Sequence, residues 1–178
     1  MRMMLFTGGS RSGKSALAQR WAEAQGARRV YIATAGIRDM EMAERVRRHQ
    51  AARGEGWTTF EEPLDVVGAI GRAEPRADVV LVDCITLWLS NLMAEDDDAS
   101  VMSHVRALAA ALDGTSLPVA LVTNEVGWGI VPPTPLGRRF RDLAGECNQL
   151  LAASCQGVVL AVSGLPLVVK GEMPAALR

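Results

Sequence analysis

The sequence predicts an α/β fold, a mostly parallel sheet with helices on both faces. Three observations predict it. Apolar strand-like runs alternate with helix-length segments along the chain. The strand-like runs are nearly continuous in Val, Ile and Leu, as strands buried on both faces are. The first of them leads straight into Gly8-Gly9-Ser10-Arg11-Ser12-Gly13-Lys14-Ser15, a glycine-rich loop at a strand-to-helix junction. At 178 residues the chain is long enough for one well-buried core and short for two, so a single domain over residues 1–178 is expected.

The elements follow in order. Met3–Thr7 is an apolar run that reads as a strand, and Lys14–Gln25 is the helix that the loop opens. Arg29–Thr34 reads as a second strand, and Asp39–Arg53, dense in Glu and Arg, as a solvated helix. Gly54–Ala77 is broken by Gly and Pro and yields no regular element. Val79–Asp83 and Val119–Thr123 are strands of the continuous apolar kind, with helices at Ile85–Met93 and Ser100–Leu112 around an acidic, solvated loop at Glu95–Asp98. Val126–Pro135 carries too many Gly and Pro for a helix or a central strand. Leu136–Ala153 reads as a helix and Gly157–Val162 as the last strand.

The loop pattern Gly-x4-Gly-Lys-Ser makes this a P-loop NTPase-type fold. Its glycines let backbone N–H groups turn inward around phosphates, and the helix behind it points its positive end at them. Lys14 supplies a compact charge to the phosphates, and the Ser15 hydroxyl is placed to bind Mg²⁺. Only Lys14 and Lys170 are lysines among 19 basic residues, so Lys stands where a planar guanidinium would fit badly. Val79-Val80-Leu81-Val82-Asp83 ends an apolar strand in an acid, the position from which a P-loop enzyme holds Mg²⁺ through water.

Composition narrows the function classes. A formal net charge of −1 gives no general attraction to nucleic acid or to acidic membranes, and no apolar stretch reaches a membrane span. Cys84, Cys147 and Cys155 form no C-x-x-C pair and read as reduced packing thiols of a cytoplasmic protein. The N-terminus enters strand pattern at once, which leaves no space for a signal peptide. No zinc spacing and no Gly-x-Ser-x-Gly elbow is present.

His49 admits two readings. On a helix it shares a face with Arg45 and Arg53, at i, i+4 and i+8. There the guanidinium groups would keep the imidazole neutral and nucleophilic while binding a triphosphate. The plainer alternative is a solvated basic helix with Glu41–Arg45 and Glu44–Arg48 pairs. His104 has no such setting and reads as a surface residue. Two function classes stay open on these residues: a P-loop kinase in which His49 merely binds charge, and a regulatory NTPase switch.

Longer motifs carry a resemblance. These are Gly8–Ser15, Tyr31-Ile-Ala-Thr-Ala35, Asp39-x-Glu-Met-x-x-Arg45-x-x-x-His49-x-x-x-Arg53-x-x-x-Trp57-x-x-x-Glu61, Val82-Asp83-Cys84-Ile-Thr-Leu-Trp88-Leu-Ser-Asn91 and Thr123-Asn124-Glu125-Val-Gly-Trp-Gly-Ile-Val-Pro132. Arg141-Asp142-Leu-Ala-Gly145-Glu-Cys-Asn148-Gln149 and Ser163-Gly-Leu-Pro166-Leu-Val-Val-Lys170 extend them. Together, from about Met3 to Lys170, they resemble the bifunctional adenosylcobinamide kinase/adenosylcobinamide-phosphate guanylyltransferase of cobalamin biosynthesis. The resemblance implies that ATP or GTP phosphorylates the aminopropanol hydroxyl of a corrinoid substrate. GMP then passes from GTP through His49 to the new phosphate. It also implies catalytic roles for His49 and Lys14. Nucleotide contacts are implied at Gly8, Gly9, Ser10, Arg11, Ser12, Gly13, Lys14, Ser15, Ala33, Thr34, Ala35, Gln50, Ala51, Ala52, Arg53, Glu61 and Asp83. Ser15 and Asp83 are the implied Mg²⁺ residues, and a cytoplasmic homotrimer the implied assembly. The chain departs from the family pattern at Met40, where an acid is frequent, and at Glu61-Glu62, where two acids compete for one role.

Overall fold

The computed structural model describes residues 1–36 and 54–178. Its centre is a seven-stranded sheet: β1 (Met3–Gly8), β2 (Arg29–Ala33), β3 (Trp57–Glu61), β4 (Val79–Asp83), β5 (Val119–Val122), β6 (Gly157–Val162) and β7 (Leu165–Lys170), in the spatial order β3-β2-β4-β5-β1-β6-β7. All neighbours pair parallel except β6 and β7, which form an antiparallel hairpin. The helices are α1 (Lys14–Glu23), α2 (Val66–Ala73), α3 (Ile85–Leu92), α4 (Asp98–Gly114) and α5 (Pro135–Ser154), with a short 3₁₀ turn at Ala175–Leu177. The helix expected at Asp39–Arg53 lies outside the described residues. Among the described residues no helix is long and apolar enough to cross a membrane.

Side-chain alternation explains the two layers. Every residue of β1 and of β5 is buried, because both faces of the central strands are covered. Met3 and Leu5 face a core shared with α2, α3, α4 and α5, whereas Met4 and Phe6 face α1 through Leu17, Ala18, Trp21 and Ala22. Phe6 and Trp21 meet with ring centroids 6.1 Å apart.

Three elements escape the sequence pattern, each for a physical reason. β3 is an edge strand in which no residue is fully buried, so Trp57-Thr-Thr-Phe-Glu61 lacks a continuous apolar run. α2 contains Gly68 and Gly71, which depress helix propensity. It forms because Asp65 caps Gly68 N–H at 2.8 Å and Val66, Ala69, Ile70 and Ala73 bury one stripe. β7 contains Pro166, tolerated because the strand is an edge. Its hairpin turns on Ser163 and Gly164, with φ 52° and 85°, the two positive values a tight antiparallel turn requires.

The acidic run at Glu95–Asp98 is a largely exposed turn, as expected, and it leads directly into α4, whose first residue is Asp98. Asp97 accepts from Ser100 N–H at 2.8 Å, and Asp98 binds Arg139, tying α4 to α5. His104 stands half-exposed on α4, 3.6 Å from Asp96, consistent with a surface position.

Burial also sets the chemistry of the three cysteines. It pushes the Cys84 thiol up to about 11 and those of Cys147 and Cys155 up to about 12. All three then stay protonated well above neutral pH. Native protein at pH 8 is therefore expected to react with iodoacetamide at least 10-fold more slowly than the urea-unfolded chain, as read by mass spectrometry. Rapid native labelling of any one would contradict its burial.

Candidate active site at the strand ends

Six parallel strands deliver their C-terminal ends to one edge of the sheet, and the phosphate loop sits among them. The loop is held by two glycines under tight contact. At Gly8, φ 151°, an added Cβ would meet Ala161 O and Ser12 Oγ at 2.7 Å. At Gly13, φ 93°, it would meet Gly164 Cα at 2.9 Å, in the β6–β7 turn, and Gly164 N–H donates to Ser12 O at 2.8 Å. The antiparallel hairpin thus props the loop from behind.

α1 begins at once after Gly13, and no side chain caps its first N–H groups. They are left to an anion, and the helix dipole favours negative charge there. Lys14 is buried, and its Nζ donates across the loop to Gly9 O at 3.1 Å. Arg11 is exposed at the loop tip with φ 56°. Ser12 Oγ is buried without a hydrogen-bond partner among the described residues.

The strand registers place the other candidates. Glu61, Ala33, Asp83, Val122 and Phe6 are successive Cα partners across β3, β2, β4, β5 and β1. With strands about 4.8 Å apart, Asp83 lies about 10 Å from β1 and Glu61 about 19 Å from it. Asp83 is thus at the distance of a cation between phosphate and strand, whereas Glu61 suits the base or ribose end of a nucleotide. Asp83 Oδ2 is buried and accepts no hydrogen bond from the described residues. An orphaned carboxylate oxygen beside a phosphate loop fits a bound Mg²⁺, which keeps several waters and takes one or two protein ligands. Asp83 and Lys14 both act on the Cys84 thiol, burial and Asp83 raising its pKa and Lys14 opposing them, so the two charges share this edge.

Glu62 and Thr34 are engaged in the fold. Burial would raise the Glu62 carboxyl, but the N–H groups of Asp65 and Leu64 and the Arg72 guanidinium hold it below the usual carboxylate range. Among the described residues Glu61 is the other acid at this end of β3. Thr34 is fully buried; its hydroxyl donates to Cys84 O and accepts from Cys84 N–H, both at 2.8 Å. Asn91 Nδ2 donates to Thr34 O, also at 2.8 Å. Thr34 therefore fixes the chain just after Asp83, and Ala33 and Ala35 flank it. His49, Gln50, Ala51, Ala52 and Arg53 lie outside the described residues, as does Arg45.

The sequence offers Asp83 and Glu125 as candidate bases for phosphoryl transfer, with a loop cap as the alternative for Glu125, and one cluster at this edge gives Glu125 its setting. β5 continues beside β1 beyond its last paired residue, with Thr123 N–H on Phe6 O at 2.9 Å and Glu125 N–H on Gly8 O at 3.1 Å. Thr7 Oγ1 donates to Glu125 Oε1 at 2.5 Å, and Asn148 Nδ2, from α5, donates to the same oxygen at 3.4 Å. Asn124 Nδ2 donates to Thr86 Oγ1 at 2.6 Å, which bridges toward the Asp83 turn. The available signal was the abrupt polar run Thr123-Asn124-Glu125 at the end of an apolar strand. A separate cavity of about 380 Å³, lined by Arg28, Arg29, Trp57 and Arg76 among others, opens at the opposite end of β2 and β3.

Comparison with known proteins is consistent with this geometry. The family described as cobinamide kinase / cobinamide phosphate guanyltransferase matches residues 4–169. The bifunctional adenosylcobalamin biosynthesis protein CobP of Pseudomonas aeruginosa is 42% identical over 168 residues, covering 94% of this chain and 97% of its own. The corresponding proteins CobU of Escherichia coli K12 and Salmonella typhimurium LT2 are each 40% identical, covering 94% of this chain and 99% of theirs. In three dimensions the fold is similar to a prototypical ATPase from the type III secretion system of pathogenic bacteria, with TM-score 0.57 and 13% identity. That likeness covers 98% of this chain and 60% of the ATPase chain.

The loop packing generates a direct test. In Gly13→Ala the new Cβ would strain a left-handed backbone and collide with Gly164, so the loop must shift. Affinity for a fluorescent GTP analogue is expected to fall at least 10-fold while far-UV circular dichroism stays native. Wild-type affinity in a folded variant would mean that the loop tolerates the displacement.

Proposed function

The chain belongs to the cobinamide kinase / cobinamide phosphate guanyltransferase family, and from that premise we propose how its residues carry both reactions. The protein is a bifunctional enzyme that phosphorylates a cobinamide and then transfers a guanylyl group to the product. The observation that carries the reading is the phosphate loop at the same strand edge as Asp83, whose Oδ2 accepts no hydrogen bond among the described residues, in a chain about 40% identical over nearly its full length to bifunctional enzymes.

In the kinase step the loop N–H groups, from Gly8 to Ser15, and Lys14 bind the β- and γ-phosphates of ATP or GTP. The aminopropanol hydroxyl of adenosylcobinamide attacks the γ-phosphorus, and the nucleoside diphosphate leaves. Ser15 and Asp83 would hold Mg²⁺, which when bound neutralises charge on the phosphates. In the second step the His49 imidazole attacks the α-phosphorus of GTP and pyrophosphate departs. An oxygen of the cobinamide phosphate then attacks that phosphorus and releases His49, giving adenosylcobinamide-GDP. Gln50, Ala51, Ala52 and Arg53 accompany His49 in contacting nucleotide, and Glu61 takes the base or ribose end. Ala33, Thr34 and Ala35 shape the floor between Glu61 and Asp83.

The same reading makes residues 1–178 one catalytic domain of a cytoplasmic homotrimer. Its support is the family resemblance, together with the exposed apolar row Leu165, Leu167 and Val169 on edge strand β7, a surface that subunit contact would cover.

The covalent step is tested with GTP labelled separately at the α- and γ-phosphate. With Mg²⁺ present, wild-type protein is expected to acquire an acid-labile, alkali-stable label from α-labelled GTP alone, and His49→Ala none. A folded wild type that takes no α-label would leave a kinase without a guanylyl-enzyme. For Arg53, truncation to Ala should slow guanylylation by about 10²-fold or more, because a fixed cation at the α-phosphate acts on charge that develops during transfer. An unchanged rate would remove Arg53 from that role.

A further inference from the structure

The kinase step needs a group to take the proton of the attacking alcohol, and the strand edge offers few carboxylates. Glu62 is bound by two backbone N–H groups and Arg72. Glu61 stands four strands from the phosphate loop. Asp83 occupies the position suited to the cation. Glu125 is different. Its backbone N–H is 3.1 Å from Gly8 O, so the residue abuts the first glycine of the loop. β5 lies between β1 and β4, so this carboxylate rises between the phosphate loop and Asp83. Its hydrogen bonds are one-sided. Thr7 and Asn148 both donate to Oε1, while Oε2 accepts nothing from the described residues. One oxygen is fixed and the other is left for a substrate proton.

We propose that Glu125 is the general base of the kinase step, aimed by Thr7 and Asn148. This rests on the bifunctional reading given above. As the alcohol oxygen bonds to the γ-phosphorus, its proton passes to Glu125 Oε2. The bond from that phosphorus to the β,γ-bridging oxygen breaks, and the diphosphate leaves with that electron pair. The guanylyl steps need no such base. Their nucleophiles are a neutral imidazole and a phosphate oxygen, neither of which must lose an alcohol proton. Glu125 therefore divides the two activities of one site.

Glu125→Gln keeps the shape and an acceptor for Thr7 and Asn148 but removes the base. Kinase turnover on adenosylcobinamide is expected to fall by about 10²-fold or more. Guanylyl transfer to separately supplied adenosylcobinamide phosphate should fall less than about fivefold, which also reports that the site is folded. The acid limb of the kinase pH profile should disappear in the residual activity. A kinase rate within a few-fold of wild type, or equal losses in both reactions, would overturn the assignment. If Glu125→Gln does not fold, Glu125→Asp decides by the same split: selective kinase loss supports the role, equal or no loss overturns it. Wild-type protein inactive in both assays would instead overturn the bifunctional reading itself.

Discussion

The site depends on one close contact, the phosphate loop packed against the β6–β7 turn. Backbone N–H groups must point inward to hold phosphates, and this forces φ values that side chains disfavour. Gly8 and Gly13 accept those values because they carry no Cβ, and a Cβ at either would collide with Ala161 O or Gly164 Cα behind the loop. The antiparallel strand β7 therefore serves a site it does not touch: it forms the hairpin whose tip, Ser163-Gly164, meets the loop. A loop so confined presents its donors without further ordering, which is the condition for binding charge strongly at a protein edge.

A second constraint holds the strand ends in register. The chain beyond each parallel strand leaves the ladder, so its polar groups need partners. Thr34 supplies them for Cys84, Asn91 for Thr34 and Pro63, Asn124 for Thr86, and Asn148 for Asn124 and Thr123. Each such bond contributes about 1 kcal/mol net, whereas leaving a buried partner unsatisfied costs about 1–3 kcal/mol. The network thus contributes little to stability for its size and much to geometry. Among the described residues three buried side-chain atoms lack a partner, Trp57 Nε1, Ser12 Oγ and Asp83 Oδ2, and the last two lie at the phosphate-loop edge of the sheet.

How much of this was legible in sequence follows from which forces leave a linear trace. Burial on both faces writes itself as runs of Val, Ile and Leu, so β1, β2, β4, β5 and β6 could be read. The loop is read because backbone curvature demands glycine at fixed spacing. β3, α2 and β7 could not be read so, since β3 is a half-exposed edge and the breakers Gly68, Gly71 and Pro166 mask the apolar pattern of α2 and β7. Thr34 illustrates the other gap. A motif position singles it out, but only the fold reveals that its hydroxyl is committed to the Cys84 peptide. Glu125 was visible as a polar break after β5; its contact with Thr7, 118 residues away in sequence, was not.

A single strand edge asked to run two phosphorus chemistries meets a conflict of position. The loop and Asp83 form a fixed frame, since their contacts are backbone and buried side chain. Within that frame the γ-phosphorus faces one acceptor and the α-phosphorus another, about two bridging oxygens apart. The alternatives are to move the frame or to use different nucleophile partners along it. The strand order favours the second. β5 sets Glu125 beside the loop, and the Asp83 and Glu61 ends extend the edge by about 10 and 19 Å, the length over which a triphosphate and its base can lie. A group near the loop can then serve γ-transfer, and a nucleophile carried on the segment between β2 and β3 can serve α-transfer.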